Sequence, residues 1–114
     1  MSCRIRTTAH FDRDLKRLGK RYRSIREDFL QLLQELGDNP TAGVALGDGL
    51  RKVRMSIASK GKGKSGGARV ITYNMVTCME GDDLLLLMIY DKSERTSVSK
   101  RELVAIMKES GYLR

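Results

Sequence analysis

Seven consecutive apolar residues, Leu84 through Tyr90, interrupt an otherwise heavily charged chain. A half-buried strand alternates apolar and polar residues, and an amphipathic helix repeats them every three or four. A continuous run of this length fits a strand covered on both faces. It is far shorter than the roughly 20 residues a helix needs to cross a bilayer. It therefore predicts a sheet with protein packed around it.

The remaining segments supply the other elements. Cys3 to Thr7 alternates Cys, Ile and Thr with Arg4 and Arg6, which reads as a short first strand. Phe11, Leu15, Leu18 and Tyr22 share one face of a helix, with Thr8 as its N-cap. Ser24 and Glu27 have the spacing of a capping box for a second helix, whose stripe is Ile25, Phe29, Leu32, Leu33 and Leu36. Gly37 offers a left-handed end and Pro40 a stop. The short join at Arg21 to Arg23 predicts an antiparallel helical hairpin. Thr41 to Gly49 reads as a polar loop.

From Leu50 the period changes to two. Val53, Met55 and Ile57 alternate with Lys52, Arg54 and Ser56, giving one apolar and one basic strand face. Ser59 to Gly67 contains no apolar residue and four glycines, which predicts a mobile loop. Ala68 to Thr77 reads as a long strand, and Glu80 to Asp83 as a turn around Gly81. Ser99 and Glu102 form a second capping box ahead of Leu103, Ile106 and Met107, and Gly111 ends that helix. The order is β-α-α-β-β-β-α. It describes a single α+β domain, residues 1–114, with a mainly antiparallel sheet. A hairpin on one sheet face leaves the other partly free for function.

The chain has 114 residues, 40% of them apolar, enough for one core. Lys and Arg number 22 against 14 Asp and Glu, a net charge of +8 that favours a polyanionic partner. The start of the chain, MSCRIRTTAH, lacks the apolar centre of a signal peptide. A cytoplasmic protein, free of membrane, is expected, with Cys3 and Cys78 as free thiols. Two cysteines and one histidine, His10, argue against a structural zinc site. No metal and no cofactor is expected.

The basic charge is concentrated. Arg51, Lys52, Arg54, Lys60, Lys62, Lys64 and Arg69 fall in one stretch without an acidic residue. If the flanking strands pair, Lys52, Arg54 and Arg69 converge on one patch, suited to a phosphodiester backbone. The competing reading is a solubilising loop. Within the stretch, Ala58 to Ser65 fits a relaxed phosphate-loop pattern. The helix that such a loop needs at its Lys-Ser is replaced by Gly66, Gly67 and a β-branched strand. His10 reads as a surface or capping residue, Tyr22 and Tyr73 as core or rim, and the six methionines as core filler. Arg13, Lys16, Arg17, Lys20, Arg21, Arg23 and Arg26 make the hairpin basic too.

Particular residues in this order resemble the RelE/ParE superfamily of bacterial toxins. They are Phe11-x3-Leu15-x2-Leu18, Asp38-Asn39-Pro40, Leu50-Arg51-Lys52-Val53-Arg54-Met55, Gly67-Ala68-Arg69-Val70-Ile71-Thr72-Tyr73 and Ile89-Tyr90-Asp91-Lys92-Ser93. The insert Ser59 to Gly66 and the helix Ser99 to Glu109 resemble a HigB-like branch or another RelE-like one. The resemblance spans nearly the whole chain. It implies a small RelE-like fold and the toxin of a type II toxin–antitoxin system. RelE-like members are ribosome-dependent endoribonucleases (mRNA interferases) that stop translation by cutting mRNA through 2′-hydroxyl attack, which is the activity the resemblance implies. A cognate antitoxin, of helix-turn-helix type and encoded next door, would silence it in a hetero-oligomer.

The resemblance also implies roles. Arg69 would stabilise the phosphorane-like transition state. Lys52 or Arg54 would orient the phosphate, with Lys52 the better candidate for proton transfer. RelE has an arginine just after the last core strand and a tyrosine near the C-terminus, where this chain has Ser93 and Ser99. Tyr90, Lys92 and Arg95 are candidates to compensate. Arg51, Lys60, Lys62, Lys64 and Arg95 are candidate RNA contacts. Two alternatives remain open: a ParE-like toxin that inhibits gyrase, and a non-catalytic basic module that binds RNA or DNA.

Overall fold

The structure, a computed structural model, describes residues 4–77 and 81–112. The elements are β1 (Arg4–Thr7), α1 (Ala9–Arg21), α2 (Ile25–Asp38), β2 (Val44–Gly47), β3 (Leu50–Met55), a 3-10 turn (Ala58–Lys60), β4 (Ala68–Thr77), β5 (Gly81–Asp91) and α3 (Lys100–Glu109). The strands form one sheet in the order β1-β5-β4-β3-β2. Among the described residues only β1 runs parallel to its neighbour, β5; the other pairs are antiparallel. The protein is a small α+β domain with an N-terminal helical hairpin and a C-terminal helix, as its patterning predicts.

The apolar run occupies β5 and is buried on both faces. Leu84, Leu86 and Ile89 pack under α1 and α2 with Phe11, Leu18, Ile25, Leu32 and Leu36. Leu85, Leu87, Met88 and Tyr90 pack on the opposite side with Leu103, Ile106 and Met107 of α3. The alternation breaks at Leu87, where Ile71 pairs with Met88 and Thr72 with Leu86. That bulge sends both Leu87 and Met88 to the α3 side. Each fully buried leucine here contributes about 1.5–3 kcal/mol of apolar transfer.

Thr8 joins the sheet to the first helix. Its hydroxyl accepts a bond from the Phe11 N–H at 2.9 Å and donates to the Leu87 carbonyl at 2.8 Å. The N-cap thereby fixes where α1 starts on β5. At α3, Ser99 and Glu102 form the expected capping box, and Gly111 follows the helix at φ 81°. There the Tyr112 N–H returns to the Met107 carbonyl at 2.9 Å.

Several expectations are corrected. Thr41 to Gly49 is no simple loop, because β2 pairs with the start of β3 and closes a tight turn through Asp48. Ser24 is the N-cap residue of α2, but its side chain makes no capping bond. Its hydroxyl instead donates to Asp28 at 2.7 Å and accepts from the Ser59 N–H at 2.9 Å. Gly37 stays helical, and α2 runs on to Asp38, whose following Asn39 N–H bonds Glu35. The expected turn at Glu80 to Asp83 is β-strand from Gly81 onward. Asp83 there is buried and meets Arg4 at 3.5 Å and Arg6 at 3.4 Å. Cys3, Cys78 and Glu80 lie outside the described residues. Among the described residues no helix is long and apolar enough to cross a membrane.

Candidate polyanion-binding cleft

Strand pairing builds the site. In the antiparallel β3–β4 ladder Arg54 lies directly opposite Arg69, and Lys52 opposite Ile71. Val53, Met55, Ala68 and Val70 enter the core beneath the helical hairpin. Alternation therefore turns Lys52, Arg54 and Arg69 to the other face. These cations border a cleft of about 510 Å³ that Lys64, Lys92 and Thr96 also line, together with Glu35 from α2.

Arg69 is the best-held member of the set, with only 6% of its surface exposed. Its Nη1 donates to the carbonyls of Lys64 and Ala68, both at 3.1 Å, and its Nη2 to that of Ser65 at 3.0 Å. Of the guanidinium's five N–H donors, one on Nε and one on Nη2 remain uncommitted among the described residues. Those two nitrogens form one of the forks that grip phosphate or carboxylate oxygens side-on. Burial, and then the neighbouring Arg54, push Arg69 down from the ordinary arginine value, while Tyr90 acts the other way. The group stays cationic at neutral pH. No carboxylate among the described residues pairs with it.

The side chains of Lys52, Arg54 and Lys92 likewise make no hydrogen bond or ion pair among the described residues. Lys64 pairs with Glu35 at 3.3 Å. Both groups are substantially exposed, so solvent screens that pair and either partner is easily recruited.

The other candidates are outside the cleft lining. Arg51 alternates to the opposite sheet face, opposite Thr72, and its Nε is buried without a partner. Lys60 is folded inward onto Asp91 at 2.7 Å, with 10% of its side chain exposed, so its charge is already paired inside the protein. Lys62 is exposed on a turn beyond the cleft lining. Tyr90 lies directly opposite Arg69 in the β4–β5 ladder, but it is 2% exposed, packs in the α3-side core and has a hydroxyl without a partner among the described residues. Arg95 stacks over the Tyr90 ring at 5.5 Å and pairs with Glu102 at 2.7 Å. Ser93 is exposed outside the cleft, and Ser99 is consumed in capping α3.

The insert is also unlike the mobile loop its composition predicts. Its tethers run to Asp28, Ser24, Asp91 and Glu35, four residues scattered along the chain. Lys64-Ser65 leads into β4 and not into a helix, so the phosphate-loop pattern has no helix dipole behind it. Glu35 and Thr96 escaped the sequence reading because only the fold brings them beside Arg54. Compared with models of known protein families, the chain matches none.

Proposed function

We propose that this cleft binds the phosphodiester backbone of RNA, and that the chain is the toxin of a type II toxin–antitoxin pair acting as a ribosome-dependent endoribonuclease. The observation that carries the reading is the cross-strand pair Arg54 and Arg69, set in a cleft with unpaired Lys52 and Lys92 and a carboxylate, Glu35. Cations without internal counter-ions favour an external anion. The resemblance to RelE-like toxins adds the substrate class.

In this reading the RNA 2′-hydroxyl attacks the adjacent phosphorus, the P–O5′ bond breaks, and a 2′,3′-cyclic phosphate and a 5′-hydroxyl result. Arg69, held by backbone carbonyls, meets the charge that develops on the non-bridging oxygens without having to reorganise. Arg54 shares that charge. Glu35 is a better proton acceptor than Lys52, since a carboxylate is already a base at neutral pH and an ammonium is not. Lys52 or Lys92 is then an acid able to protonate the departing 5′-oxygen. The reading includes a cognate antitoxin, mRNA on the ribosome as substrate, and a cytoplasmic location.

The test is expression in a bacterium with mapping of transcript 5′ ends. The expected result is growth arrest with new ends inside translated messages, and relief of both by Arg69→Ala. Arrest with DNA damage and no new ends would move the chain to a gyrase-directed activity. A second reading, a binding module without turnover, is favoured by Ser93 and Ser99 standing clear of the cleft. RNA binding without cleavage on ribosomes would select it.

A further inference from the structure

A buried ionic cluster lies behind the cleft. The Asp91 side chain, wholly buried at the end of β5, accepts from Lys60 Nζ at 2.7 Å, from the Ser93 N–H at 2.9 Å and from the Tyr22 hydroxyl. The Lys60 ammonium also lies 5.6 Å from the centre of the Tyr22 ring. Around this anchor the insert is pinned at its start and its end. The Ala58 N–H donates to Asp28 at 3.1 Å, and the Gly67 carbonyl accepts from the Lys92 N–H at 3.1 Å.

Between those pins run Lys60 to Ser65, with Gly61 and Gly63 in left-handed turns. This stretch has no apolar side chain to hold it. Yet it supplies two of the three carbonyls that fix the Arg69 guanidinium, those of Lys64 and Ser65. Burying an ion pair is a poor way to gain stability, because desolvation offsets the attraction and an apolar pair often does as well. Fixing the position of a glycine-rich loop is a task for which a directional pair is suited.

We propose that Asp91 and Lys60 are positioning residues, which hold the insert so that its carbonyls aim Arg69 at the bound phosphate. The proposal rests on the RNA-cleft reading above. Neither residue touches substrate. Both act through the backbone from Lys60 to Ser65, so loosening either frees the Lys64 and Ser65 carbonyls and lets Arg69 swing.

The test is a mutant cycle. One arm is the charge-neutral pair Lys60→Met with Asp91→Asn, which removes the anchor without leaving a buried charge. The other arm is Arg69→Ala, and the third protein carries all three changes. Each is assayed for affinity toward a single-stranded 2′-O-methyl RNA oligonucleotide, which cannot be cut, and for single-turnover cleavage of ribosome-bound mRNA. The neutral pair is expected to lose about 10- to 100-fold in cleavage, the loss that follows a misplacement of ~1 Å. It should lose only a few-fold in affinity. Residues acting as one unit are non-additive, so the neutral pair should change little once Arg69 is already alanine. A merely structural role would multiply the two losses, and that outcome overturns the proposal. So does a neutral pair that binds and cuts like the wild type. If the wild type cuts nothing, the nuclease reading fails, and the same cycle in affinity still decides the positioning claim. Should the neutral pair not fold, Tyr22→Phe takes its place in the cycle, with a smaller loss in the same direction expected.

Discussion

Replacing Lys60 alone by methionine isolates the energetic weight of the buried pair. The Asp91 side chain is 0% exposed and that of Lys60 10%. Removing the ammonium leaves the carboxylate, among the described residues, the Tyr22 hydroxyl and Ser93 as partners. Breaking a buried pair from one side costs about 3–5 kcal/mol. That is a large share of the roughly 5–15 kcal/mol by which domains are stable. Adding Asp91→Asn removes the orphaned charge and should recover much of the loss. Urea unfolding at neutral pH measures both variants, with an unchanged slope showing that only stability moved.

The acid limb supplies a second check. Burial pushes the Asp91 carboxyl up, but Lys60, Tyr22 and Ser93 outweigh it and hold the group below the usual carboxylate range. A depressed folded-state value means the stabilisation is complete above the unfolded value of about 3.9. It is lost as pH falls from there through the folded value. The stability of the wild type relative to the neutral pair should therefore fall as pH drops below about 4. A Lys60→Met cost under ~1 kcal/mol, the size expected of an exposed pair, would refute the reasoning. So would a wild-type stability, relative to the neutral pair, that does not fall with acid.

Two further substitutions test the frame around the cleft. A Cβ at Gly67 would sit 2.1 Å from the Met55 carbonyl oxygen and 3.0 Å from the Ile57 nitrogen, both backbone. Gly67→Ala should cost about 1–3 kcal/mol or more, as overpacking does, and a melting temperature near wild type would contradict that contact. Ser99→Ala removes the α3 capping box and should cost about 1 kcal/mol, seen as a drop of several degrees in thermal unfolding.

The fold was legible where side-chain periodicity reported burial directly. The run from Leu84 to Tyr90 identified the doubly covered strand, and the Val53–Met55 alternation identified which face Lys52 and Arg54 take. Thr8 and Ser99 were readable as caps because a cap is a local interaction. The misses were non-local. Val44 to Gly47 is a strand only because β3 lies beside it, and its exposed residues carry no apolar alternation. Ser24 had the spacing of a capping box, but Asp28 and the insert compete for its hydroxyl. The Ser59 to Gly67 stretch looked mobile because its restraints are acceptors distant in sequence. For the same reason Lys60 was counted as a surface cation, although Asp91 draws it inward. Glu35 gave no signal at all, since nothing local distinguishes it from any other helix-surface glutamate.

The salt dependence of RNA binding tests the cleft most directly. Affinity for a short single-stranded RNA is measured over a range of salt, for the wild type and for Lys52→Ala with Arg54→Ala. Each phosphate contact on a single strand contributes about 0.7 to the slope of log affinity against log salt. Lys52, Arg54, Arg69 and Lys92 together predict a wild-type slope of about −3, falling in size by about 1.4 in the double variant. A slope that the two substitutions leave unchanged would contradict the account, because RNA would then be held somewhere other than between β3, β4 and Lys92.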